Sequence, residues 1–255
     1  MSKKTTVCIV LLIFFGIFLA GCMGNNSLSN CVAIEGKGTY LKIQDAIDAA
    51  SDGDTIHVYV GTYYESIVLN KSINLIGDGK DRTIIDYHKN DSGTIIEINN
   101  DQCTIKGFTI TNSMKKFGST WFIRGIEIES SNTSISDNSI SNTSYGIHIL
   151  PGSINNIISK NTISNNQNGI EIVQSSNNKV LSNVISLNSQ FGVVIFQKAE
   201  YNVISNNTFS NNNEAVRLKD VQYNTIEQNL LINNTKNIEE CCGAENNNIY
   251  ENTIE

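Results

Sequence analysis

The sequence predicts an all-β protein, a right-handed parallel β-helix solenoid of about nine coils with an N-terminal capping helix. The first observation is a phrase of the form apolar-x-x-Asn-x-apolar, which returns every 22 to 24 residues over 102–255. A second phrase, Gly-apolar-x-apolar, runs between its copies in step, as in Gly146-Ile147-x-Ile149. A repeat of about 20 to 30 residues is typical of a solenoid. The repeated asparagines are Asn138, Asn161, Asn183, Asn207, Asn229 and Asn252.

Each repeat alternates apolar and polar residues over short segments that are rich in Ile, Val and Thr and separated by Asn, Ser and Gly. These are signals for strands and turns, and no helical period occurs among them. About 22 residues supply three short strands and three turns. Each repeat is therefore predicted to form one coil, whose strands pair in parallel with the coils on either side. One coil alone buries too little apolar surface to offset the entropy of its own ordering, so stability must come from stacking.

The recurrent asparagines are predicted to form a ladder between coils. Each lies where a strand bends inward, so its amide would bond to the next coil and satisfy backbone groups that a sharp turn leaves unpaired. Asn183 is assigned to this ladder, whereas Asn188 is expected to face solvent.

Residues 39–50 form the one convincing helical pattern, with apolar side chains at i, i+3, i+4 and i+7 from Ile43. The pattern ends in a Ser-Asp-Gly-Asp turn, and strands are predicted after it at 55–60, 66–69, 72–76 and 83–86. A solenoid exposes apolar side chains at its ends. A helix laid across the first coil is therefore predicted to be the N-terminal cap.

The start of this region carries the motifs Ile43-Gln44-Asp45-Ala46-Ile47, Gly53-Asp54-Thr55-Ile56, Gly61-Thr62-Tyr63 with Glu65, and Leu75-Ile76-Gly77. These motifs resemble the opening of pectin-lyase-like β-helix proteins, which include pectin methylesterases and the NosD-like extracytoplasmic proteins of bacteria and archaea. The Asn-rich coils resemble the NosD-like branch more closely. The resemblance implies the fold over 39–255 but no activity, because this fold carries lyases, hydrolases, esterases, epimerases and binding proteins.

The family's enzymes depend on grouped acids. Beyond Gln102 this chain has two aspartates, Asp137 and Asp220, which fall in separate coils. The paired-Asp and Gly-His-Gly signatures of polygalacturonases are absent, as are the downstream Gln and Asp motifs of pectin methylesterases. The enzymatic activities of the family therefore do not carry over to this sequence.

The x position of the Gly-apolar-x-apolar phrase forms an outward column with Glu127, His148 and Glu171 in successive coils. Stacked strands lie about 4.8 Å apart, so His148 is predicted to lie directly between the two carboxylates. Such a stack suits an acid/base pair or a divalent metal, although no obligatory cofactor is expected. The alternative is a solvated face, because in-register stacking disfavours like charges in neighbouring coils and mixed signs relieve this.

The coil between Phe108 and Asn138 is 30 residues long where the others average about 23. Its surplus, 114–124, predicts an out-looping segment that is rich in aromatic and cationic residues. This segment either binds a sugar ring or an acidic ligand, or folds back to cover the flank of the solenoid. The candidate ligand-binding residues are Lys115, Lys116, Trp121, Phe122 and Arg124.

The N-terminal residues predict export and a lipid anchor. Lys3 and Lys4 precede an apolar run that is shorter than the roughly 20 residues of a spanning helix. The run closes in Leu-Ala-Gly-Cys, which resembles the lipobox of prokaryotic lipoproteins, so Cys22 is the predicted lipidated first residue. The segments are then a signal peptide at 1–21, a tether at 22–38 and the β-helix at 39–255. An uncleaved anchor or an ordinary signal peptide are the alternatives, and both export the chain.

The remaining cysteines leave their pairing open. An exported chain permits disulfides, and Cys31 with Cys103 is a candidate bridge. The adjacent pair Cys241-Cys242 matches no strong zinc spacing. A soft-metal role for this pair rests on the link between NosD-like proteins and copper-enzyme maturation.

The net charge of the chain bears on the class of partner that it binds. Removal of 1–21 changes the net charge from −7 to −9, because Lys3 and Lys4 are lost. This acidic balance argues against nucleic acid as a partner.

The last coil, 246–255, has no helix or polar cap after it, and its strand edges predict docking of a protein partner or a second copy.

Three functions are consistent with these observations. The first is a membrane-tethered extracytoplasmic β-helix that binds carbohydrate or another surface polymer, or serves in surface assembly, without catalysis. The second is a carbohydrate-active enzyme of the lyase or epimerase type that uses Glu127, His148 and Glu171. The third, implied by the resemblance alone, is an accessory role in copper-enzyme maturation.

Overall fold

The computed structural model describes residues 30–114 and 121–255. Across these ranges the chain winds through three sheets of 11, 9 and 8 strands, with one short helix near the start. Strands of successive coils pair in parallel and in register, as in Ile126 with Ile147. The eight strands of the third sheet correspond to about eight turns. The predicted parallel β-helix with an N-terminal helix is confirmed, and its coil count is close to the nine expected.

The strands are numbered in chain order. The first sheet contains β1 Val32–Ile34, β2 Gly38–Tyr40, β3 Thr55–Val58, β6 Asn74–Gly77, β9 Thr104–Lys106, β12 Ser134–Ser136, β15 Ile157–Ser159, β18 Lys179–Leu181, β21 Val203–Ser205, β24 Thr225–Glu227 and β27 Asn248–Tyr250. The second contains β4 Gly61–Tyr63, β7 Thr83–Asp86, β10 Thr109–Thr111, β13 Ser139–Ser141, β16 Thr162–Ser164, β19 Val184–Ser186, β22 Thr208–Ser210, β25 Leu230–Ile232 and β28 Thr253–Ile254. The third contains β5 Ile67–Leu69, β8 Gly93–Ile98, β11 Ile123–Ile128, β14 Tyr145–Ile149, β17 Asn168–Val173, β20 Phe191–Phe196, β23 Glu214–Lys219 and β26 Lys236–Cys241.

The helix α1 spans Ile43–Ala49 and is shorter than the predicted 39–50. Thr39 and Tyr40 belong instead to β2, because their backbone pairs antiparallel with β1. Glu65 accepts hydrogen bonds from the first backbone N–H groups of α1, and Lys71 donates to carbonyls at its C-terminal end. The first sheet begins at Val32, within the segment 22–38 assigned to the tether, because Val32 and Ile34 alternate with Ala33 and bury their side chains.

The core is a set of aliphatic columns that run through the coils. On the third sheet, Ile126, Ile147, Ile170, Val193 and Val216 stack in register and are fully buried. Each lies two residues before another buried aliphatic, so the residue between them points outward. This alternation places the candidate site on the outer face of the third sheet.

Each regular coil has three corners with the same backbone arrangement. A residue with left-handed φ is followed by a buried asparagine, as at Ser182 (φ 55°) before Asn183 and Leu187 (φ 55°) before Asn188. The asparagine side chain then accepts from the backbone of the preceding coil. Three asparagine ladders result, where the sequence predicted one. The expectation that Asn188 faces solvent is wrong, because it is 1% exposed and Asn212 Oδ1 accepts from its backbone N–H at 3.1 Å.

The C-terminal strands leave apolar side chains at the surface, with Ile249 39% and Ile254 66% exposed. The partner predicted at this coil stays a prediction. Within the described ranges, no helix has the length and apolar character needed to cross a membrane.

Candidate functional site

The outer face of the third sheet carries two columns of side chains, most of which are polar or charged. The first is the predicted column, and the strand register places His148 opposite both Glu127 and Glu171. Its members in chain order are Glu97, Glu127, His148, Glu171, Val194, Arg217 and Glu239.

The second column lies three residues earlier in each strand, and the sequence predicted only its member Arg124 as a candidate site residue. The four members from Arg124 to Phe191 directly precede the glycine of the Gly-apolar-x-apolar phrase, and that position is the signal that identifies the column. The glycine is required because a Cβ on Gly169 would lie 2.5 Å from the carbonyl oxygen of Gly192 in the next coil. The members are Thr94, Arg124, Tyr145, Asn168, Phe191, Glu214 and Lys236.

The centre of the site is His148 between two carboxylates. Its Nδ1 lies 3.4 Å from Glu127 Oε2, and its Nε2 lies 3.5 Å from Glu171 Oε1. The three side chains are only 11 to 15% exposed. Since only the protonated imidazolium carries a hydrogen on both ring nitrogens, this form can donate to both acids at once.

The two carboxyl groups differ in pKa. The hydrogen bond with His148 holds the pKa of Glu127 below its usual value, and the charge of Arg124 adds to this shift against the effect of burial. Burial raises the pKa of Glu171, and the favourable contacts with His148 and Asn168 only partly offset this. The two carboxyl groups on either side of one imidazole therefore differ in acidity. General acid–base catalysis uses such a difference.

The second column supplies a neighbour for each member of the first. Arg124 Nε lies 2.7 Å from Glu127 Oε2, although its N–H is not aligned for a hydrogen bond. Asn168 Nδ2 donates to Glu171 Oε2 at 2.7 Å. The other amide atom, Asn168 Oδ1, is buried and meets no hydrogen-bond donor among the described residues. A buried acceptor without a donor is rare and calls for an explanation.

Aromatic rings continue the site on one side. The Tyr145 ring stacks on His148 with centroids 5.1 Å apart, and Phe122 stacks on Tyr145 at 6.5 Å. Phe122 is 52% exposed. Trp121 is instead half-buried and packs against the hydrophobic core, so it covers the flank of the solenoid. Lys115 and Lys116 lie outside the described residues.

The term third-sheet cluster is used below for the six central residues of the site, which are Arg124, Glu127, Tyr145, His148, Asn168 and Glu171.

A second polar group lies two coils further on, beyond the apolar pair Phe191 and Val194. Arg217 Nη2 donates to Glu214 Oε1 at 2.6 Å, and its Nη1 lies 3.4 Å from Cys241 Sγ. The sulfurs of Cys241 and Cys242 are 3.0 Å apart. Because Cys242 donates to it and Arg217 is close, the pKa of Cys241 is lowered.

The candidate bridge between Cys31 and Cys103 is wrong. Cys31 is disulfide-bonded, whereas Cys103 is a free and buried thiol. Cys103 Sγ donates instead to the carbonyl oxygens of Lys71 and Asn100, both at 3.2 Å. Cys22, the predicted lipidation site, lies outside the described residues.

Within 30–114 and 121–255, no three His, Cys, Asp or Glu side chains are grouped to hold a metal ion. A divalent metal at Glu127, His148 and Glu171 stays a prediction. Among the residues that the structure describes, the adjacent soft donors for copper are the thiols of Cys241 and Cys242. This donor set does not by itself make a complete copper site.

A comparison with protein families decides the affiliation of the chain. The model of a family described as periplasmic copper-binding protein (NosD) matches residues 47–255. The chain belongs to the NosD family. The NosD-like affiliation expected from the sequence is therefore confirmed.

A cell surface glycoprotein of Methanothermus fervidus is a relative of this NosD-family chain. It is 36% identical over 111 residues, which are 42% of this chain but only 17% of that protein. The chain therefore matches a small part of the glycoprotein's length. Both this relative and the NosD family are described as lying outside the cytoplasm, which supports the expected extracytoplasmic location.

Solved structures resemble this NosD-family chain in fold. Pectin methylesterase from the rice weevil superposes with a TM-score of 0.68 at 14% identity, covering 94% of this chain and 93% of that one. The carrot enzyme gives 0.64 at 14% identity, covering 86% and 81%. An alginate lyase from Paenibacillus gives 0.61 at 16% identity, covering 83% and 94%. At these identities the likeness establishes the pectin-lyase-like fold alone.

Proposed function

We propose that this chain is a membrane-tethered extracytoplasmic protein that binds carbohydrate through the third-sheet cluster, without catalysis. The observation that carries the proposal is the Phe122, Tyr145 and His148 stack beside the unpaired acceptor Asn168 Oδ1. A sugar ring offers C–H groups on its faces and hydroxyls around its edge. Aromatic faces next to hydrogen-bond acceptors complement both.

The cluster provides acceptors in excess of donors. Glu127 and Glu171 accept from sugar hydroxyls, and Asn168 Oδ1 would gain the donor that it lacks within the described chain. Arg124 adds a cation beside them, so the site also tolerates an acidic sugar. Tyr145, His148 and the polar groups lie on strands of one sheet, which gives a rigid and extended surface suited to a polymer.

Variants on one face of the sheet test this assignment. Tyr145→Ala and His148→Ala should lose binding on a glycan array that displays neutral and uronic-acid polymers, while circular dichroism stays that of the wild type. Phe196→Ala is the matched control, because Phe196 is a half-buried outward aromatic of the same sheet, outside the cluster. Binding that survives both cluster substitutions, or is lost equally in Phe196→Ala, would reject the site.

The membrane tether is a separate part of the proposal, supported by the Leu-Ala-Gly-Cys phrase that ends at Cys22. Mass spectrometry of the membrane-extracted protein should show an acylated N-terminal cysteine. A mature start at another residue, or release by a wash without detergent, would contradict it.

A lyase or epimerase is the second candidate, favoured by the opposite pKa shifts of Glu127 and Glu171 around one imidazole. Such an enzyme would turn over alginate or polygalacturonate, and Glu171→Gln should abolish turnover while retaining binding. A wild-type protein that binds these polymers and leaves them unchanged would favour the binding role.

Copper-enzyme maturation is the third candidate, favoured by the family description and the thiol pair Cys241 and Cys242. Anaerobic titration with Cu(I) should then show binding that is lost in the Cys241→Ser/Cys242→Ser variant. Equal affinity in the wild type and this variant would exclude the thiols as copper ligands.

A further inference from the structure

Tyr201 and Tyr223 form an aromatic pair outside the third-sheet cluster. They lie one coil apart at the corner that leads from the third sheet into the first, just before the ladder residues Asn202 and Asn224. Their rings are nearly parallel, with centroids 5.4 Å apart and planes inclined by 10°. Tyr201 is 54% and Tyr223 is 44% exposed, so the pair presents ring surface to solvent.

The fold does not require aromatic residues at this corner. Both tyrosines adopt left-handed φ, 57° and 59°. Asparagine tolerates this conformation because its short polar side chain bonds locally, whereas a bulky side chain disfavours it. Tyrosine at these two coils therefore opposes the local backbone preference. In four other coils the same corner holds asparagine with φ between 57° and 60°, at Asn132, Asn155, Asn177 and Asn246.

Hydrogen-bonding groups flank the two rings. Glu200 and Gln222 directly precede the tyrosines, and Gln222 Nε2 donates to Glu245 Oε1 of the next coil at 2.7 Å. Flat apolar faces beside carboxylate and amide acceptors complement a sugar ring. The two acids and the net charge of −7 disfavour an anionic polymer.

We propose that Tyr201 and Tyr223 form a second binding platform, for a neutral polysaccharide. The rings stack in the direction in which the coils stack, so an extended chain of sugars can contact both coils. The platform is separate from the third-sheet cluster and does not depend on its function, since it shares no residue with it.

Replacing both tyrosines by asparagine separates binding from folding. Affinity electrophoresis of the full chain in gels that contain mannan, β-glucan or hydroxyethylcellulose should show retardation by at least one polymer. The Tyr201→Asn/Tyr223→Asn variant should bind that polymer about tenfold more weakly or worse. Its melting temperature should equal or exceed that of the wild type, because asparagine suits the left-handed corner.

Two further variants complete the test. Tyr201→Phe/Tyr223→Phe should retain the rings and most of the retardation, and Tyr64→Ala should behave as the wild type, because Tyr64 is an exposed aromatic at a distant coil. Retardation by none of the neutral polymers, or equal retardation of the double asparagine variant, would overturn the platform. A lowered melting temperature of that variant, or a change in its oligomeric state, would show instead that the tyrosines serve folding or self-association.

Discussion

Asn207 Oδ1 accepts two hydrogen bonds from Asn183, one from its backbone N–H at 2.9 Å and one from its side-chain amide at 3.0 Å. Asn183 Nδ2 also donates to the carbonyl of Ile158 in the preceding coil at 2.9 Å. One side chain thus ties three coils together. Asn188 has the same relationship with Asn212 at the next corner, at 3.1 and 2.9 Å.

Asn183→Ala and Asn188→Ala should therefore destabilise the chain to a similar degree. Each removes an amide that satisfies buried backbone groups, so we expect the free energy of unfolding to fall by about 1 to 3 kcal/mol. Urea denaturation measures the change. Asn213→Ala is the control, because Asn213 is exposed and lies beside the ladder. An Asn188→Ala midpoint equal to that of the control would contradict a ladder at this corner.

Gly169→Ala should destabilise the third sheet. The new Cβ would lie 2.5 Å from the backbone oxygen of Gly192, and a backbone atom cannot move aside as a flexible side chain does. We expect a loss of about 1 to 3 kcal/mol, measured as a lower melting temperature. Gly38→Ala in β2 is the control, since a Cβ there meets its nearest atom at 3.8 Å. Equal melting temperatures for the two variants would show that the neighbouring coils move apart at little cost to accommodate the new Cβ.

Glu127→Gln and Glu171→Gln should have opposite effects near neutral pH. The lowered pKa of Glu127 contributes stability that is present above its ordinary value of 4.5 and is lost as the pH falls through the folded-state pKa. The raised pKa of Glu171 acts in the other direction, because the folded state holds this proton more tightly and loses stability as the pH rises through that pKa. Glu127→Gln should therefore cost about 1 to 3 kcal/mol, whereas Glu171→Gln should leave stability unchanged or increase it.

The pKa values of Glu127 and Glu171 can also be compared by direct titration. Carbon-13 NMR of the side-chain carboxyls should place the midpoint of Glu127 below that of Glu171. Coincident midpoints for Glu127 and Glu171 would contradict the asymmetry around His148.

Cys241 should be the most reactive free thiol in the described part of the chain. The lowered pKa leaves more thiolate at neutral pH, and thiolate is the nucleophile. After reduction, iodoacetamide should label Cys241 first, as followed by mass spectrometry. Cys242→Ala should slow this labelling, because it removes the Cys242 hydrogen bond, which is the largest cause of the shift.

Cys103 is the internal control for this experiment. It is buried, and burial raises its pKa, so it should stay unlabelled until the chain unfolds. Labelling of Cys103 at the rate of Cys241 would contradict both the burial and the shift.

Spacing alone determined the coil period, the aliphatic columns and the neighbours of His148. Parallel strands stack in register with a side-chain period of two, so residues at equal positions in successive repeats become neighbours in space. The sequence by itself therefore places Glu127 and Glu171 on either side of His148.

The corners and the close pairings were decided by tertiary structure. A left-handed residue such as Leu187 resets the alternation, so Asn188 turns inward although strand periodicity assigns it to the surface. Thr39 continues a helical pattern, yet it pairs with Ala33 because a sheet edge lies beside it. The raised pKa of Glu171 likewise depends on its burial against neighbouring coils. Such outcomes depend on contacts between residues far apart in the chain, which local periodicity does not contain.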